Sequence, residues 1–295
     1  MESMKLKLFR YFFVFTLFLV SCMRVVSMED FSIINENFNR GEIPISFVSK
    51  GLPTVEVEID NQTYHLILDT GADSVAMAFV PSALERLNPT YLTDQKKSLD
   101  IHGNPYQGRT FKLSQTIIGN LKIANFIGSE ELRSFVPCDG IIGNQFLKHF
   151  NVYMDYQNLK VFLYPQYNYP SELELEKWQK VSFEHNNIGI VVSGRFARNK
   201  KELKFCLDTG MCSIQNGRTY GLLKPKNMPG LFIKRKTYET KSFYIDGIDF
   251  GQTAFIASDF KQPPVDGFLG HNFFSRYIVF IDFNQEVLYV KRNNN

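Results

Sequence analysis

One tripeptide occurs twice in this chain, and it constrains the fold more than any other feature. Residues 69–71 and 208–210 both read Asp-Thr-Gly, and in each copy a Leu precedes the Asp and a Ser follows three positions after the Gly. Alternating or apolar residues, the pattern of a strand, lead into each copy over 63–68 and 202–207. We therefore predict that each tripeptide lies where a strand enters a tight turn, which the Gly permits. A single copy would indicate no more than such a turn.

The sequence repeats beyond the tripeptide. Asp, Gly, two apolar residues and Gly recur at 139–143 and 266–270. The match then continues without a gap: residues 143–147 match 270–274, residues 152–156 match 279–283, and residues 160–164 match 287–291. A repeat of this size predicts two similar folding units. We place the N-terminal lobe at 28–165, a Pro- and Glu-bearing linker at 166–177, and the C-terminal lobe at 178–295.

Length and composition fit two β-rich lobes. The chain has 295 residues, enough for two lobes of about 120 residues that each bury a core. Aromatic residues make up 15% of the chain, and Val, Ile, Phe and Tyr occupy most apolar positions, which favours sheet. The net charge is only +3, so the composition gives no sign of a nucleic-acid partner.

The paired motifs resemble those of the pepsin and retropepsin superfamily of aspartic proteases, in particular the compact, retropepsin-like bacterial type with two lobes in one chain. In that family each lobe carries Asp-Thr-Gly or Asp-Ser-Gly, and then a strand of two hydrophobic residues and Gly that packs across the catalytic turn. Residues 141–143 and 268–270 fit that strand, and residues 69–73 match the retroviral motif letter for letter. The resemblance covers residues 41–292. It implies a mainly β fold of two pseudo-symmetric, acid-protease-like β-barrel lobes with the active-site cleft between them.

The resemblance also implies an aspartic endopeptidase whose catalytic carboxylates, Asp69 and Asp208, meet at the lobe interface. The supporting residues of the two catalytic loops would be Thr70, Gly71, Thr209 and Gly210. Two carboxylates a few ångströms apart cannot both ionise easily and therefore share one proton, a behaviour for which aspartic proteases are the standard example. One carboxylate would act as general base on a water molecule, while the other, protonated, polarises the scissile carbonyl. Neither a cofactor nor a covalent intermediate is expected.

The residues after the two catalytic Gly residues depart from the pepsin pattern. Pepsin-like enzymes have Ser or Thr directly after the Gly, where a hydroxyl donates to the ionised carboxylate and lowers its pKa. Ala72 and Met211 stand there instead, so we expect a pair that keeps its shared proton to higher pH, with activity at mildly acidic to near-neutral pH. Asp73 stands where the retroviral motif has an Asp that contacts the substrate backbone, whereas the matching position in the second lobe is Cys212. We therefore expect Asp73 to bind substrate from the first lobe, without an equivalent contact from the second lobe.

A hairpin around a Gly-rich tip is predicted over residues 98–113, after a short helix at 81–87. By resemblance this hairpin is the flap, a mobile lid that closes over the substrate. Gly103 and Tyr106 are its candidate substrate-binding residues, and the alternative is an ordinary exposed hairpin. The corresponding stretch of the second lobe, residues 228–241, is basic and lacks a Gly-rich tip, so we expect one flap.

The N-terminus is typical of an export signal, which we place at residues 1–27. A basic start precedes an apolar core at 11–20. Arg24 follows too soon for a helix that spans a membrane, which needs about 20 apolar residues. We therefore expect an exported protein.

The end of the apolar core leaves the final location open. Residues 19–22 read Leu-Val-Ser-Cys, which resembles a bacterial lipobox and would make Cys22 the lipidated N-terminus. The alternative is ordinary cleavage after Ser21 or Ser27. The protein would then be periplasmic or anchored to a membrane through this lipid alone, or else secreted.

The remaining cysteines and the histidines indicate no metal site. Cys206 and Cys212 flank the second catalytic motif and could form a disulfide, but the odd count, with Cys138, favours small buried thiols. The five His residues are scattered without the spacing of metal ligands. We expect a monomer whose partner is a peptide or protein substrate.

Three functions remain open from the sequence. The leading hypothesis is an exported aspartic endopeptidase. The second is an inactive relative that binds peptides in the same cleft, against which the presence of both Asp residues argues. The third is a structural β-rich envelope protein in which the repeated tripeptides are only turns.

Overall fold

Strands form most of the regular structure in the computed structural model of the protein. The structure describes residues 26–27, 31–35, 38–49, 51–99, 102–133, 136–186, 188–197, 199–212, 219–228 and 237–293. The export signal predicted at residues 1–27, with Cys22, therefore lies almost entirely outside the described residues. Within the described residues, no helix is long and apolar enough to cross a membrane.

The first half of the described chain runs from β1 to β15. Its elements are β1 (Val26–Ser27), β2 (Ser32–Ile33), β3 (Gly41–Pro44), β4 (Ser46–Val48), β5 (Leu52–Ile59), β6 (Gln62–Asp69), β7 (Met77–Phe79), α1 (Pro81–Leu87), β8 (Tyr91–Leu99), β9 (Pro105–Lys112), β10 (Thr116–Ile118), β11 (Leu121–Ala124), β12 (Ile127–Glu130), β13 (Gly140–Gly143), α2 (Asn144–Leu147), β14 (Phe150–Asp155) and β15 (Lys160–Pro165).

Two 3-10 turns (Ser171–Leu173 and Leu175–Lys177) lie in the predicted linker and lead into the second half. The elements of that half are β16 (Gln179–Asn186), β17 (Gly189–Phe196), β18 (Asn199–Leu207), β19 (Thr219–Leu223), a 3-10 turn (Pro225–Asn227), β20 (Thr237–Thr240), β21 (Phe243–Ile245), β22 (Ile248–Asp249), β23 (Thr253–Ala257), β24 (Gly267–Leu269), α3 (His271–Phe274), β25 (Tyr277–Asp282) and β26 (Val287–Arg292).

The N-terminal lobe is built on one sheet of twelve strands, in the order β1-β2-β11-β10-β5-β6-β13-β7-β12-β9-β8, with β4 beside β5. Strand β5 shows why the sequence forms this sheet: Val57 and Ile59 are buried whereas Glu58 between them is exposed, so one face packs on the core. The turn into β6 consists of Asp60 and Asn61, both with φ near +55° (51° and 61°). Asp and Asn tolerate this conformation, which two-residue hairpin turns require.

The second sheet contains the strands of the C-terminal lobe and also joins the two lobes. Its fourteen strands follow the order β20-β23-β19-β24-β18-β17-β16-β26-β25-β14-β15-β3, with β21 beside β17 and β22 beside β21. Strands β3, β14 and β15 come from the first half of the chain, so the lobes are connected by continuous strand pairing. This sheet joins the two lobes through backbone hydrogen bonds.

Strands β14 and β25 pair antiparallel at the junction of the lobes, and their register reveals a pseudo-twofold axis. Val152 lies opposite Ile281, and Met154 lies opposite Val279. In the sequence repeat Val152 corresponds to Val279 and Met154 to Ile281, so a twofold rotation exchanges the two pairs. The repeat read from the sequence is therefore a symmetry of the fold.

Large aromatic side chains fill both lobes. Phe146 and Phe150 pack in the first lobe with ring centroids 5.2 Å apart, and Phe205 and Phe243 pack in the second at 5.1 Å. All four side chains are buried, and they belong to one continuous apolar core. Burial of this much aromatic surface is the main source of stability for such a sheet structure.

Several element bounds differ from the sequence prediction. Alternating residues at 43–48 predict a single strand, but the structure divides it at Ile45, because β3 pairs with β15 while β4 pairs with β5. The hairpin expected from residue 98 begins at Tyr91. The predicted helix at 81–87 is confirmed at those bounds.

Candidate active site

Two equivalent strands bring the predicted catalytic carboxylates together. Strand β6 ends at Asp69, and β18 ends at Leu207, directly before Asp208. Each strand runs parallel to the strand of the Asp-Gly motif: Asp69 lies opposite Gly143, and the N–H of Asp208 donates to the carbonyl of Leu269 at 2.9 Å. Both Asp side chains are half-buried, at the junction of the two lobes.

The Asp of each Asp-Gly motif accepts a hydrogen bond from the strand, β6 or β18, that leads to Asp69 or Asp208. Asp139 Oδ2 accepts a hydrogen bond from the backbone N–H of His65 at 2.8 Å, and Asp266 Oδ2 accepts one from Lys204 at 2.9 Å. His65 and Lys204 lie in the strands that lead to Asp69 and Asp208, the predicted catalytic residues. The repeated Asp-Gly motif therefore has a structural part in each lobe.

Thr70 and Thr209 interlock the two catalytic loops. The backbone N–H of Thr70 donates to Thr209 Oγ1 at 2.9 Å, and the N–H of Thr209 donates to Thr70 Oγ1 at 3.0 Å. Each hydroxyl then donates across the interface, Thr70 to the carbonyl of Leu207 at 2.9 Å and Thr209 to the carbonyl of Leu68 at 2.5 Å. Both Thr residues are fully buried, so water cannot replace these four bonds.

Gly71 and Gly210 permit the close approach of the carboxylates. A Cβ on Gly71 would lie 2.6 and 2.7 Å from the two carboxylate oxygens of Asp208, and a Cβ on Gly210 would lie at the same distances from those of Asp69. Each carboxylate is therefore packed against the backbone of the opposite loop. Any side chain at either Gly would displace the opposite carboxylate.

The environment of the pair favours one shared proton. Burial raises the pKa of Asp69, an effect opposed by the nearby cation of Arg133 and by the N–H of Gly71, which donates to Asp69 Oδ1 at 2.9 Å. Burial and then the charge of Asp69 hold the pKa of Asp208 well above its ordinary value. No donor among the described residues reaches the buried Oδ1 atom of Asp208. The proton therefore belongs on Asp208 beside an ionised Asp69.

Two ionisable side chains near the pair, Tyr156 and Cys206, stay neutral. Burial raises the pKa of the Tyr156 hydroxyl and of the Cys206 thiol well above their ordinary values, and the carboxylates of the pair add to both shifts.

The residues directly after Gly71 and Gly210 are Ala72 and Met211, whose side chains carry no hydroxyl. The lack of a hydroxyl there is the basis of the less acidic pH range expected from the sequence, which stays a prediction.

The hairpin of β8 and β9 reaches from the first lobe to the second. Gly103, at its tip, has φ +82°, and a Cβ there would lie 3.7 Å from Gln262 Cγ and 4.0 Å from Lys261 Cβ. Tyr106 is half-buried on β9, and the guanidinium carbon of Arg133 lies 5.9 Å from the centroid of its ring. The hairpin therefore covers the cleft, as a flap would.

Arg133 and Glu131 are site residues that the sequence analysis missed. Arg133 Nε and Nη2 donate to Glu131 Oε1 and Oε2 at 2.8 and 2.7 Å, and the Glu131 side chain is fully buried. A Glu and an Arg two positions apart are common in any sequence, so no local signal marks this pair.

Asp73 forms a hydrogen bond between the lobes with His185. Its Oδ1 is 3.0 Å from Nε2 of His185, and the two side chains are 12% and 19% exposed. The His185 ring also packs edge-on against Phe283, with centroids 5.2 Å apart. Asp73 therefore links the loop that follows Asp69 to β16 through His185. Substrate binding by Asp73 stays a prediction.

The three cysteines that the structure describes are thiols rather than halves of a disulfide. Cys138, Cys206 and Cys212 form no disulfide, and the Sγ of Cys212 donates to the carbonyl of Ser49 at 3.4 Å. The preference for thiols over a Cys206–Cys212 disulfide is confirmed. In the described part of the chain, no group of three or more His, Cys, Asp or Glu side chains could hold a metal ion.

The comparisons with known proteins agree with this arrangement at the level of the fold. No family model matches the sequence, and no curated protein matches it. Among solved structures, the aspartic proteinase from Irpex lacteus is similar with a TM-score of 0.58 and 14% identity, over 86% of this chain and 98% of that chain. At this identity the likeness establishes the fold alone, which is the mainly β, two-lobe fold of pepsin-like aspartic proteinases. The fold prediction is confirmed.

Proposed function

We propose that this protein is an aspartic endopeptidase that hydrolyses peptide bonds with a water molecule activated between Asp69 and Asp208. The observation that carries the proposal is the reciprocal packing of each carboxylate against the opposite catalytic Gly. A turn-forming Asp would point to solvent, whereas two carboxyl groups held together in a buried site raise the pKa of one of them at a cost in stability. The pepsin-like fold supports the same function.

The chemistry follows from the unequal environments of the two carboxyl groups. The ionised Asp69 takes a proton from the bound water, whose oxygen attacks the scissile carbonyl carbon. Asp208 donates its proton to the carbonyl oxygen, so that a neutral tetrahedral diol forms. The diol then collapses, the C–N bond breaks, and the proton held by Asp69 passes to the leaving nitrogen, while the proton of one diol hydroxyl returns to Asp208. All atoms of the water end in the two products.

The flap and the lobe interface would bind the substrate. An extended peptide fits between the hairpin of β8 and β9 and the catalytic loops, where backbone hydrogen bonds can hold it. Closure of the hairpin excludes water, which strengthens the electrostatic interactions of the pair. Gly103 and Tyr106 are the proposed flap contacts, because they lie at the tip of the hairpin and above Arg133.

We further propose the compact bacterial, retropepsin-like type and export from the cytoplasm. The paired Asp-Thr-Gly motifs and the single hairpin over the cleft support the type. The basic start and apolar core at residues 1–27 support export, with lipidation of Cys22 or cleavage after Ser21 or Ser27 as the two possible outcomes. Globomycin, which blocks lipoprotein signal cleavage, would cause a lipidated precursor to accumulate and would leave an unlipidated protein unchanged.

Digestion of a mixed peptide library, followed by mass spectrometry, tests the proposed activity. Wild-type protein should cleave, whereas the isosteric variants Asp69→Asn and Asp208→Asn should not, because each removes one of the two required proton-transfer groups. Both variants should keep the wild-type melting temperature or exceed it, because Asn has the size and shape of Asp and each variant removes a buried carboxyl group whose ionisation burial opposes. Pepstatin binding by a wild-type protein that cleaves no peptide would overturn the proposal and favour a peptide-binding protein.

A further inference from the structure

A small apolar cluster of the first lobe lies on the face of the sheet that carries Asp69. Successive side chains of a strand alternate between its two faces, so Ile67 shares a face of β6 with Asp69. Ile141 of β13 lies beside Ile67 in the parallel pair and therefore points to the same face. Leu68 and Ile142, on the opposite face, belong to the main core, whereas Ile141 belongs to a separate cluster.

The second lobe repeats this arrangement around Asp208. Cys206 stands two positions before Asp208 and lies beside Phe268 of the parallel strand β24. Leu207 and Leu269, on the opposite face, belong to the main core. Cys206 and Phe268 belong to a separate cluster, as Ile141 does in the first lobe. Both small clusters thus lie on the side of the sheet that faces the catalytic pair.

Each lobe therefore presents an apolar wall beside its catalytic loop. The first wall consists of Val75, Ala78 and Ile141, with Ala72 and Val136 partly buried at its edge. The second wall consists of Val191, Cys206, Phe260, Val265 and Phe268, with Ile188, Met211 and Leu222 partly buried at its edge. Ala72 and Met211 directly follow the two catalytic Gly residues, whose backbones pack against the carboxylates. The two walls therefore border the place of the reaction.

Equivalent positions of the two walls differ in size. The second lobe has the larger side chain in each of three equivalent pairs, which are Ala72 and Met211, Ala78 and Leu222, and Ile141 and Phe268. The first and third pairs follow from the sequence repeat. The second pair follows from the neighbouring residues, Phe79 and Leu223, which lie opposite the Gly of the Asp-Gly motif in their own lobes. The symmetry of the backbone is thus not a symmetry of the walls.

The larger side chains fill the second wall. The rings of Phe260 and Phe268 lie edge-on with centroids 4.6 Å apart. Met211 packs against Gly270, where a Cβ would lie 3.0 Å from both Cβ and Cγ of Met211. The first wall has a methyl group at position 72, and Val136 at its edge also lines a cavity of about 600 Å³. More room is therefore left beside the first catalytic loop than beside the second.

The pseudo-twofold axis assigns each wall to one residue of a bound peptide. The axis relates Asp69 to Asp208, so it passes through the scissile bond of a peptide attacked by water between them. The two residues that flank this bond then lie in equivalent places of opposite lobes. Their side chains, which alternate in direction along an extended peptide, contact opposite walls.

We propose that the two walls select the flanking residues of the substrate by size: a large apolar side chain lies against the first wall, and a small side chain lies against the second. This inference rests on the proposed function, and it narrows the substrate class to peptides with one large apolar and one small residue at the cut. Ala72 and Met211 determine this specificity, because they are the partly exposed wall residues next to the catalytic loops.

Binding of two non-cleavable peptides tests the inference without turnover. In each peptide a hydroxyethylene group, which resembles the tetrahedral diol, replaces the scissile amide. The flanking side chains are Phe and then Ala in one peptide, and Ala and then Phe in the other. Calorimetric titration should show that the wild type binds one of these isomers about tenfold or more tightly than the other, because a single methylene group in an apolar pocket already changes selection by roughly 10–200-fold.

Substitutions in the two walls should act on opposite sides of the cut. Ala72→Met should weaken binding of the preferred isomer about tenfold or more, and Ala72→Val should have an intermediate effect that can be measured even if Ala72→Met does not fold. Met211→Ala should keep that affinity and should strengthen binding of a third peptide, with Phe at both positions, about tenfold. The double variant should prefer the other isomer. The matched control is Ala197→Met, on an exposed turn after β17, which should leave all three affinities unchanged.

Three results would overturn the inference: equal binding of the two isomers by the wild type, no binding of either, or a folded double variant that keeps the wild-type preference. The proposed function is decided separately by digestion of the corresponding amide peptides. A wild type that binds with the size preference but cleaves nothing would contradict the activity and support the walls. A wild type that cleaves without a size preference would support the activity and overturn the walls.

Discussion

Thr70→Val tests whether the interlock of the two catalytic loops stabilises the protein. Thr70 Oγ1 accepts the N–H of Thr209 at 3.0 Å and donates to the carbonyl of Leu207 at 2.9 Å, and the side chain is fully buried. Val has the shape of Thr, so the substitution removes both bonds and leaves two buried polar groups of the opposite loop without this partner. Each such group costs about 1–3 kcal/mol. We expect the free energy of unfolding to fall by about 2–6 kcal/mol.

Urea denaturation at constant pH measures this loss, with Thr70→Ser as the matched control. Ser keeps the hydroxyl and removes one methyl group, which should cost about 1 kcal/mol. Thr209→Val should resemble Thr70→Val, because Thr209 Oγ1 accepts the N–H of Thr70 at 2.9 Å and donates to Leu68 at 2.5 Å. A Thr70→Val protein as stable as Thr70→Ser, with the same urea dependence, would refute the interlock as a source of stability.

Two further predictions concern the catalytic loops and the lobe interface. In Gly71→Ala the new Cβ would lie 2.6–2.7 Å from the oxygens of Asp208. A displacement near 1 Å should lower kcat about a hundredfold or more in a peptide-cleavage assay. A kcat within threefold of wild type would show that the carboxylates tolerate separation. The Asp73–His185 pair should give a coupling free energy of about 1 kcal/mol in a double-mutant cycle of Asp73→Asn and His185→Gln followed by urea denaturation. Additive effects of these two variants would mean that the contact contributes nothing.

Local sequence patterns were sufficient to predict the elements that form within a few residues. Pro81 at the first helical position and Leu87 at the last are the bounds of α1, as predicted. Asp60 and Asn61, whose residue types predict a hairpin turn, form the turn between β5 and β6. The repeated tripeptide predicted that Asp69 and Asp208 lie at strand ends. These features depend on residues that are close in sequence, so the residue types and their spacing are sufficient to predict them.

Contacts between distant parts of the chain could not be predicted in the same way. The carboxylate of Asp73 reaches His185, which lies 112 positions away, and no pattern at either residue indicates the other. The guanidinium carbon of Arg133 lies 5.9 Å from the ring centroid of Tyr106, and no local pattern at either residue indicates this contact. The division at Ile45 arises because its flanking strands join different sheets, a choice made by tertiary packing rather than by alternation.

The pH profile of peptide cleavage by the wild type and by Asp208→Asn tests the central claim most directly. A pair with one shared proton is active between its two pKa values, so the rate should fall on both sides of a maximum. Because the pKa of Asp208 is raised, the alkaline decline, which marks loss of that proton, should lie above the ordinary range of a carboxyl group, and Asp208→Asn should be inactive at every pH. A single-sided profile, or activity in Asp208→Asn above about a hundredth of wild type, would contradict the account.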